Sequence, residues 1–148
     1  MQLTLYSDYS LRVLLYLSHM PKKTATIEEI AHFYKISKNH LVKVVHHLAH
    51  SGYITTSQGR GGGLRITETS LNHTLAEILK KTESNFYLVE CFNQGNDHCM
   101  ISLHCSLKKI LHQAFKAFFQ VLEHYTLAHL NQPQLTQQIT HFLNSKKI

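Results

Sequence analysis

The chain has 148 residues, 43% of them hydrophobic, which is enough for one ordinary domain with a core and too apolar for a disordered polymer. It carries a formal charge of +6 and three cysteines. No apolar run approaches the ~18 residues of a membrane span, and Asp8 and Arg12 interrupt the first apolar stretch, unlike a secretory signal. The cytoplasm is the expected location, where thiols stay reduced and clustered cysteines serve metals or redox chemistry.

Residues 8–20 read as a helix, with Leu11, Leu14, Leu15 and Ser18 at helical spacing, Ser7 as the cap and Pro21 at the exit. Thr26 and Glu29 form a capping-box pattern before a short helix that ends near Tyr34. Ser37 can cap a further helix, in which Leu41, Val44, Val45 and Leu48 form a buried face and Gly52 supplies a stop. Two β-rich runs, Tyr53–Ser57 and Leu64–Thr67, flank a glycine-rich basic tip and predict a hairpin. A short helix over 75–82 precedes a loop over 83–105 that holds every cysteine. From about Ser106 a long helix is predicted to about Leu130, with apolar positions on more than one stripe. The extra apolar face is most simply covered by a second copy of the chain, giving a homodimer. Pro133 ends that helix, and a last one follows over 134–144.

The expected fold is mainly α with a small β-hairpin. Residues 1–82 would form a winged helix-turn-helix, 83–105 a cysteine-bearing loop, and 106–148 a dimerisation helix with a C-terminal helix.

Charge supports a polyanionic partner. Between Glu29 and Glu68 there is no acid, while Lys35, Lys38, Lys43, Arg60 and Arg65 fall in that stretch. A helix of this size fits the DNA major groove, led by Ser37, Lys38, Asn39 and His40 with Lys43 one turn on. Asn39 offers the amide for a bidentate adenine contact, and either lysine can meet guanine or phosphate. In the wing, Arg60 can enter a minor groove while Gly61 and Gly62 let the backbone approach closely. A solvated basic face remains the plain alternative for any one of these residues. An enzyme finds no support: there is no nucleophile elbow, and "GRGGG" lacks the Lys-Ser/Thr of a phosphate loop.

Cys91, Cys99 and Cys105 can converge on one metal centre. Zinc usually takes four ligands built around Cys-x2-Cys pairs, which are absent. An iron–sulfur cluster tolerates varied spacing. The fourth ligand stays open: Glu90, His98 and His104 are adjacent, and Asp8 is a distant candidate whose plain role is an acid in the first turn of a helix.

The segments "DYSLRVLLYL", "SKNHLVKVVHHLAHSGYITTSQGRGGGLRI" and "YTLAHL", with three cysteines before a long helix, resemble the NsrR branch of the IscR-like winged-helix regulators. The resemblance covers about residues 1–130. It implies a homodimeric repressor of double-stranded operator DNA that senses nitric oxide. Its iron–sulfur cluster, 4Fe–4S in preference to 2Fe–2S, would be held by Cys91, Cys99 and Cys105, with Asp8 of the other subunit as fourth ligand. Nitrosylation or loss of the cluster would release the operator. Lys108 and Arg12 stand where two sister branches place a histidine ligand, and neither is a plausible iron ligand. The Cys91–Cys99 spacing is a few residues longer than in enterobacterial members. Other readings are a superfamily regulator answering another signal, a zinc- or thiol-based winged-helix regulator, and a winged-helix module with incidental cysteines.

Overall fold

A computed structural model of the chain describes residues 2–20, 22–59, 61–93, 95 and 97–145. Pro21, expected at the first helix exit, lies outside the described residues.

Helix α1 spans Leu5–Ser18 and starts a turn earlier than expected. Its cap is Thr4, whose side chain accepts from the Ser7 N–H at 3.3 Å. Ser7 is instead a fully buried helical residue, as is Ser10. The buried stripe runs through both small serines to Val13, Leu14 and Leu17, so hydrophobicity alone hides its first turns. Ser10 Oγ–H donates to the Tyr6 carbonyl at 2.8 Å, which makes its burial tolerable.

Helix α2 is Ile27–Tyr34, with Thr26 accepting from the Glu29 N–H at 3.0 Å. The Glu29 carboxylate does not close the expected box. It accepts from the Tyr16 hydroxyl at 2.6 Å and ties α2 to α1. Burial, then this bond, push the Tyr16 phenol well above its ordinary range. Lys35 turns the chain in a left-handed conformation (φ 54°), and the Ile36 N–H closes back on Ala31. Helix α3, Lys38–His50, then lies across α1, with Leu41, Val44, Val45 and Leu48 buried.

Strands β1 (Ile54–Ser57) and β2 (Gly63–Ile66) pair antiparallel, from Ile54↔Ile66 to Ser57↔Gly63. The hairpin is anchored at its base. Ala25 and Leu64 exchange both backbone hydrogen bonds, at 3.0 and 2.7 Å, so the segment before α2 lies beside β2. A Cβ on Gly63 would stand 2.7 Å from the Ala25 carbonyl oxygen, so this approach requires glycine.

Helix α4, Leu75–Thr82, carries a complete Thr74–Glu77 capping box. Helix α5 is Ser106–Glu123, shorter than the expected run to Leu130. Beyond it, Tyr125 accepts from the Leu75 N–H, Leu127 donates to the His73 carbonyl, and Thr126 bridges Thr74. This pairing with a distant segment replaces the helical hydrogen bonds, and residues Leu127–Leu130 form a 3-10 turn. Pro133 opens helix α6, Pro133–Ser145, where its missing N–H costs nothing. Leu127 and Ile139 are fully buried in the same cluster as Val13, Leu14 and Leu41. Ile139→Ala is expected to destabilise the chain by about 2–5 kcal/mol in urea unfolding, the range for a buried large-to-small change. An unaffected midpoint would mean that α6 is not docked on this core.

Candidate nucleic-acid interface and cysteine loop

Two surfaces carry the candidate residues. The first is the start of α3 with the wing. Ser37 stands at the N-cap, exposed, with no cap bond from its side chain. Lys38, Asn39, His40 and Lys43 are all exposed. The Asn39 and Lys43 side chains make no hydrogen bond or ion pair among the described residues. His40 lies against the Tyr9 ring, with centroids 6.3 Å apart. His47 is not on the open face: its Nε2–H donates to the Lys81 carbonyl at 3.2 Å, and its ring meets Tyr6 edge-on.

Lys38 and the wing border one cleft, which Ser57, Gly59 and Gly62 also line. Gly61 is exposed with φ 79°. At Gly62 a Cβ would come within 2.5 Å of the Ser57 carbonyl oxygen, so the tight turn itself demands glycine there. Arg60 lies outside the described residues.

One acid intrudes. Glu28, in the first turn of α2, lines the same cleft and accepts from Lys38 Nζ at 3.2 Å. The sequence signal was available, since Glu28 sits just before the acid-free stretch, but only folding brings it to Lys38. Both side chains are more than half exposed, so the pair adds little stability.

The second surface is the loop between α4 and α5. All three cysteines are free thiols: Cys91 and Cys105 half-buried, Cys99 exposed. Cys91 lies in a 3-10 turn, Glu90–Phe92, whose Phe92 ring stacks on His112 of α5 at 4.0 Å. The Cys99 N–H donates to Asp97 Oδ1 at 3.2 Å, and its carbonyl accepts from the Ser102 N–H at 3.0 Å. Cys105 is the N-cap of α5, and its Sγ accepts from the Lys108 N–H at 3.4 Å.

The local ligand candidates are placed but not gathered. His98 and His104 are exposed, and the Glu90 carboxylate accepts from the His98 N–H at 3.4 Å. Among the described residues no three His, Cys, Asp or Glu side chains form a metal-holding group. Asp8 is on α1, where Arg12 grips it at both oxygens, each contact 2.9 Å. The Arg12 guanidinium also lies 6.0 and 5.8 Å from the rings of Tyr9 and Tyr34. Burial pushes the Tyr34 phenol up to about 12, against the opposing charge of Arg12.

The donor set fits an iron–sulfur centre in its chemistry: three reduced thiols on one loop, one of them at a helix N-terminus, and a carboxylate with one competing partner.

Comparisons with known proteins agree in kind. The Rrf2 family, described as iron-dependent transcriptional regulators, matches residues 3–133. The chain is 47% identical to an HTH-type transcriptional regulator NsrR of Shouchella clausii over 88% of both chains. It is 45% identical to the NsrR of Bacillus subtilis over 88% of this chain and 90% of that one. Among solved structures, oxidized Staphylococcus aureus CymR aligns with TM-score 0.69 at 18% identity, covering 88% of this chain and 95% of that one. T. potens IscR aligns with TM-score 0.67 at 17% identity, covering 88% and 85%. At these identities the two structures speak for the winged-helix fold.

If the cleft faces phosphate, Glu28→Gln is expected to strengthen binding to random-sequence duplex DNA by about fivefold at low salt, because a like charge leaves it and Lys38 is released. Fluorescence anisotropy across a salt series checks this; an unchanged affinity would place the cleft away from DNA.

Proposed function

Because the chain belongs to the Rrf2 family of transcriptional regulators, we propose that it is a cytoplasmic, homodimeric repressor that reports nitric oxide through an iron–sulfur cluster. That it is a transcriptional regulator rather than an enzyme follows from its relatives. The observation that carries the finer reading is the set of three free thiols on one surface loop of a winged-helix chain.

The division of labour we propose assigns 1–82 to DNA, 83–105 to the cluster and 106–148 to dimerisation. Ser37, Lys38, Asn39, His40 and Lys43 would meet the major groove, with Arg60, Gly61 and Gly62 at a neighbouring groove. Cys91, Cys99 and Cys105 would hold the cluster, preferably 4Fe–4S, with Asp8 of a second copy as the oxygen ligand. The cluster supplies iron that reacts with nitric oxide. No described helix is long and apolar enough to cross a membrane.

Dimerisation draws on α5. Leu107, Ile110 and Val121 are each about 60% exposed. With exposed Ala114 and Ala117 between them they repeat at alternating steps of three and four, the pattern of a helix–helix seam. Ile110→Glu is expected to shift the protein to monomer in light scattering and to abolish tight operator binding; a persistent dimer would move the interface elsewhere.

The link from sensor to reader runs through α1. In this chain the Asp8 carboxylate has Arg12 as its partner. If Asp8 turns to a neighbouring subunit, Arg12 keeps only the faces of Tyr9 and Tyr34. Tyr9 in turn touches His40 at the start of α3. A change at Asp8 therefore reaches the DNA-facing helix through three contacts. Moving an operator from occupied to empty needs a large bias, about 5.5 kcal/mol for a 1:99 to 99:1 reversal, and these contacts supply part of it.

Protein purified without oxygen is expected to be brown, with about four irons per chain. It should lose operator affinity on addition of nitric oxide. Asp8→Ala should keep the iron but release it faster to a chelator. Zinc, or no metal with intact DNA binding, would overturn the reading.

A further inference from the structure

The cysteine loop has an unusual problem: none of its described residues is fully buried. Every described residue from 83 to 105 is exposed or half-buried, and the Met100 and Leu103 side chains face solvent at 100% and 89%. Ordering each residue costs about 1–2 kcal/mol of backbone entropy; Phe86 and Phe92 pack on α5, but from Asp97 to Cys105 no fully buried side chain offsets that cost. The segment from Cys99 to Cys105 nevertheless has turn hydrogen bonds, with the Ser102 N–H on the Cys99 carbonyl and the His104 N–H on the Ile101 carbonyl.

A polar cluster accounts for it. Lys108, in the first turn of α5, reaches back with Nζ 3.2 Å from Asp97 Oδ2 and 2.5 Å from Ser102 Oγ. The Ser102 hydroxyl donates to Asp97 Oδ2, and Asp97 Oδ1 accepts from the Cys99 N–H. Asp97 and Lys108 are 20% and 25% exposed, whereas both partners of the other ion pairs among the described residues are 36% exposed or more. Shielding of this degree separates a structural ion pair from an ornamental one. The Asp97 carboxyl is held below its ordinary range, first by the Ser102 hydrogen bond.

We propose that Lys108 is a positioning residue for the cysteine loop: bound to Asp97 directly and through Ser102, it holds Cys99 at a set place relative to Cys105 before any metal arrives. Lys108 is on the same helical turn as the Cys105 cap, so one rigid element sets both cysteines. The inference rests on the iron–sulfur reading for its purpose but not for its geometry. The metal-free chain then presents a partly formed site, and assembly orders only the remainder.

The test uses the full-length, reduced, metal-free protein. Lys108→Met keeps the aliphatic stem and removes the ammonium. Amide exchange at Cys99, Ser102 and His104, read by NMR, is expected to quicken about tenfold, the scale of one charged hydrogen bond. Lys108→Arg should restore most of the protection. Ser102→Ala, which spares α5, should quicken exchange about threefold, and it serves if the Met variant fails to fold. Reconstitution with ferrous iron and sulfide should be several-fold slower in Lys108→Met at unchanged thermal stability. Unchanged exchange in the variants overturns the clamp, and an opened loop with unchanged assembly rate overturns its positioning role. Protected amides in a wild-type chain that takes up no iron leave the clamp standing and remove the iron–sulfur reading instead.

Discussion

Burial of α1 is the constraint on which the rest of the molecule depends. Val13, Leu14 and Tyr16 have no exposed surface and Leu17 almost none. The helix packs against α2, α3, α4, β2 and the Leu127–Leu130 turn. A helix enclosed on so many sides is a strut whose rotation would disturb every neighbour, because packed interiors deform in discrete steps and not smoothly. Its first turn, by contrast, reaches the surface and carries Asp8. One rigid element thus has a polar, exchangeable group at one end and α3, the proposed DNA-reading helix, lying across its middle. Two tethers set its orientation: Tyr16 to Glu29 of α2, and the Thr4 N–H to Glu83 after α4 at 2.7 Å.

The basic face follows from the same packing. α3 can lie with Lys38, Asn39 and Lys43 outward because its Leu41–Leu48 stripe is committed to α1. The wing is placed by a different device, the backbone pairing of Ala25 with Leu64. Since Ala25 immediately precedes the cap of α2, helix-turn-helix and wing share one anchor. Their separation is then a property of backbone hydrogen bonds and owes nothing to the charged side chains on either. Side chains on that surface are free to differ between related regulators without moving the frame, and Glu28 beside Lys38 is one such local choice.

Much of the fold was legible in sequence, and what was missed has identifiable causes. The α3 face and α4 were readable because apolar period and caps agree there, with Leu75–Thr82 matching its expected bounds. The start of α1 was misplaced because Ser7 and Ser10 carry its buried stripe, and serine does not register as core. The end of α5 was overrun because the competing partner of Tyr125 and Leu127 is a segment some fifty residues earlier. The three cysteines were legible as residues of one loop, while among the described residues the structure gathers no fourth ligand beside them. The Asp97–Ser102–Lys108 contacts were not legible, since ordinary polar residues at those spacings have no signature until the loop folds back.

The two ends of the proposed sensor differ in how they are held, and the difference bears on how a switch can work. The Cys99–Cys105 segment is tied to α5 through Lys108 within one chain, by contacts to Asp97 and Ser102. Among the described residues the Asp8 carboxylate is held by Arg12 alone, a pair of side chains 36% and 42% exposed and therefore weak and easily exchanged. A site built from one firm half and one loose half keeps its thiols ready while the carboxylate comes and goes. Loss of the carboxylate then changes the partner of Arg12, and through Tyr9 the surroundings of His40, without requiring the loop to unfold. In the proposed sensor, exchange of a weak ion pair, in place of rupture of a strong one, would let a small signal at the surface reach a strut that is otherwise locked.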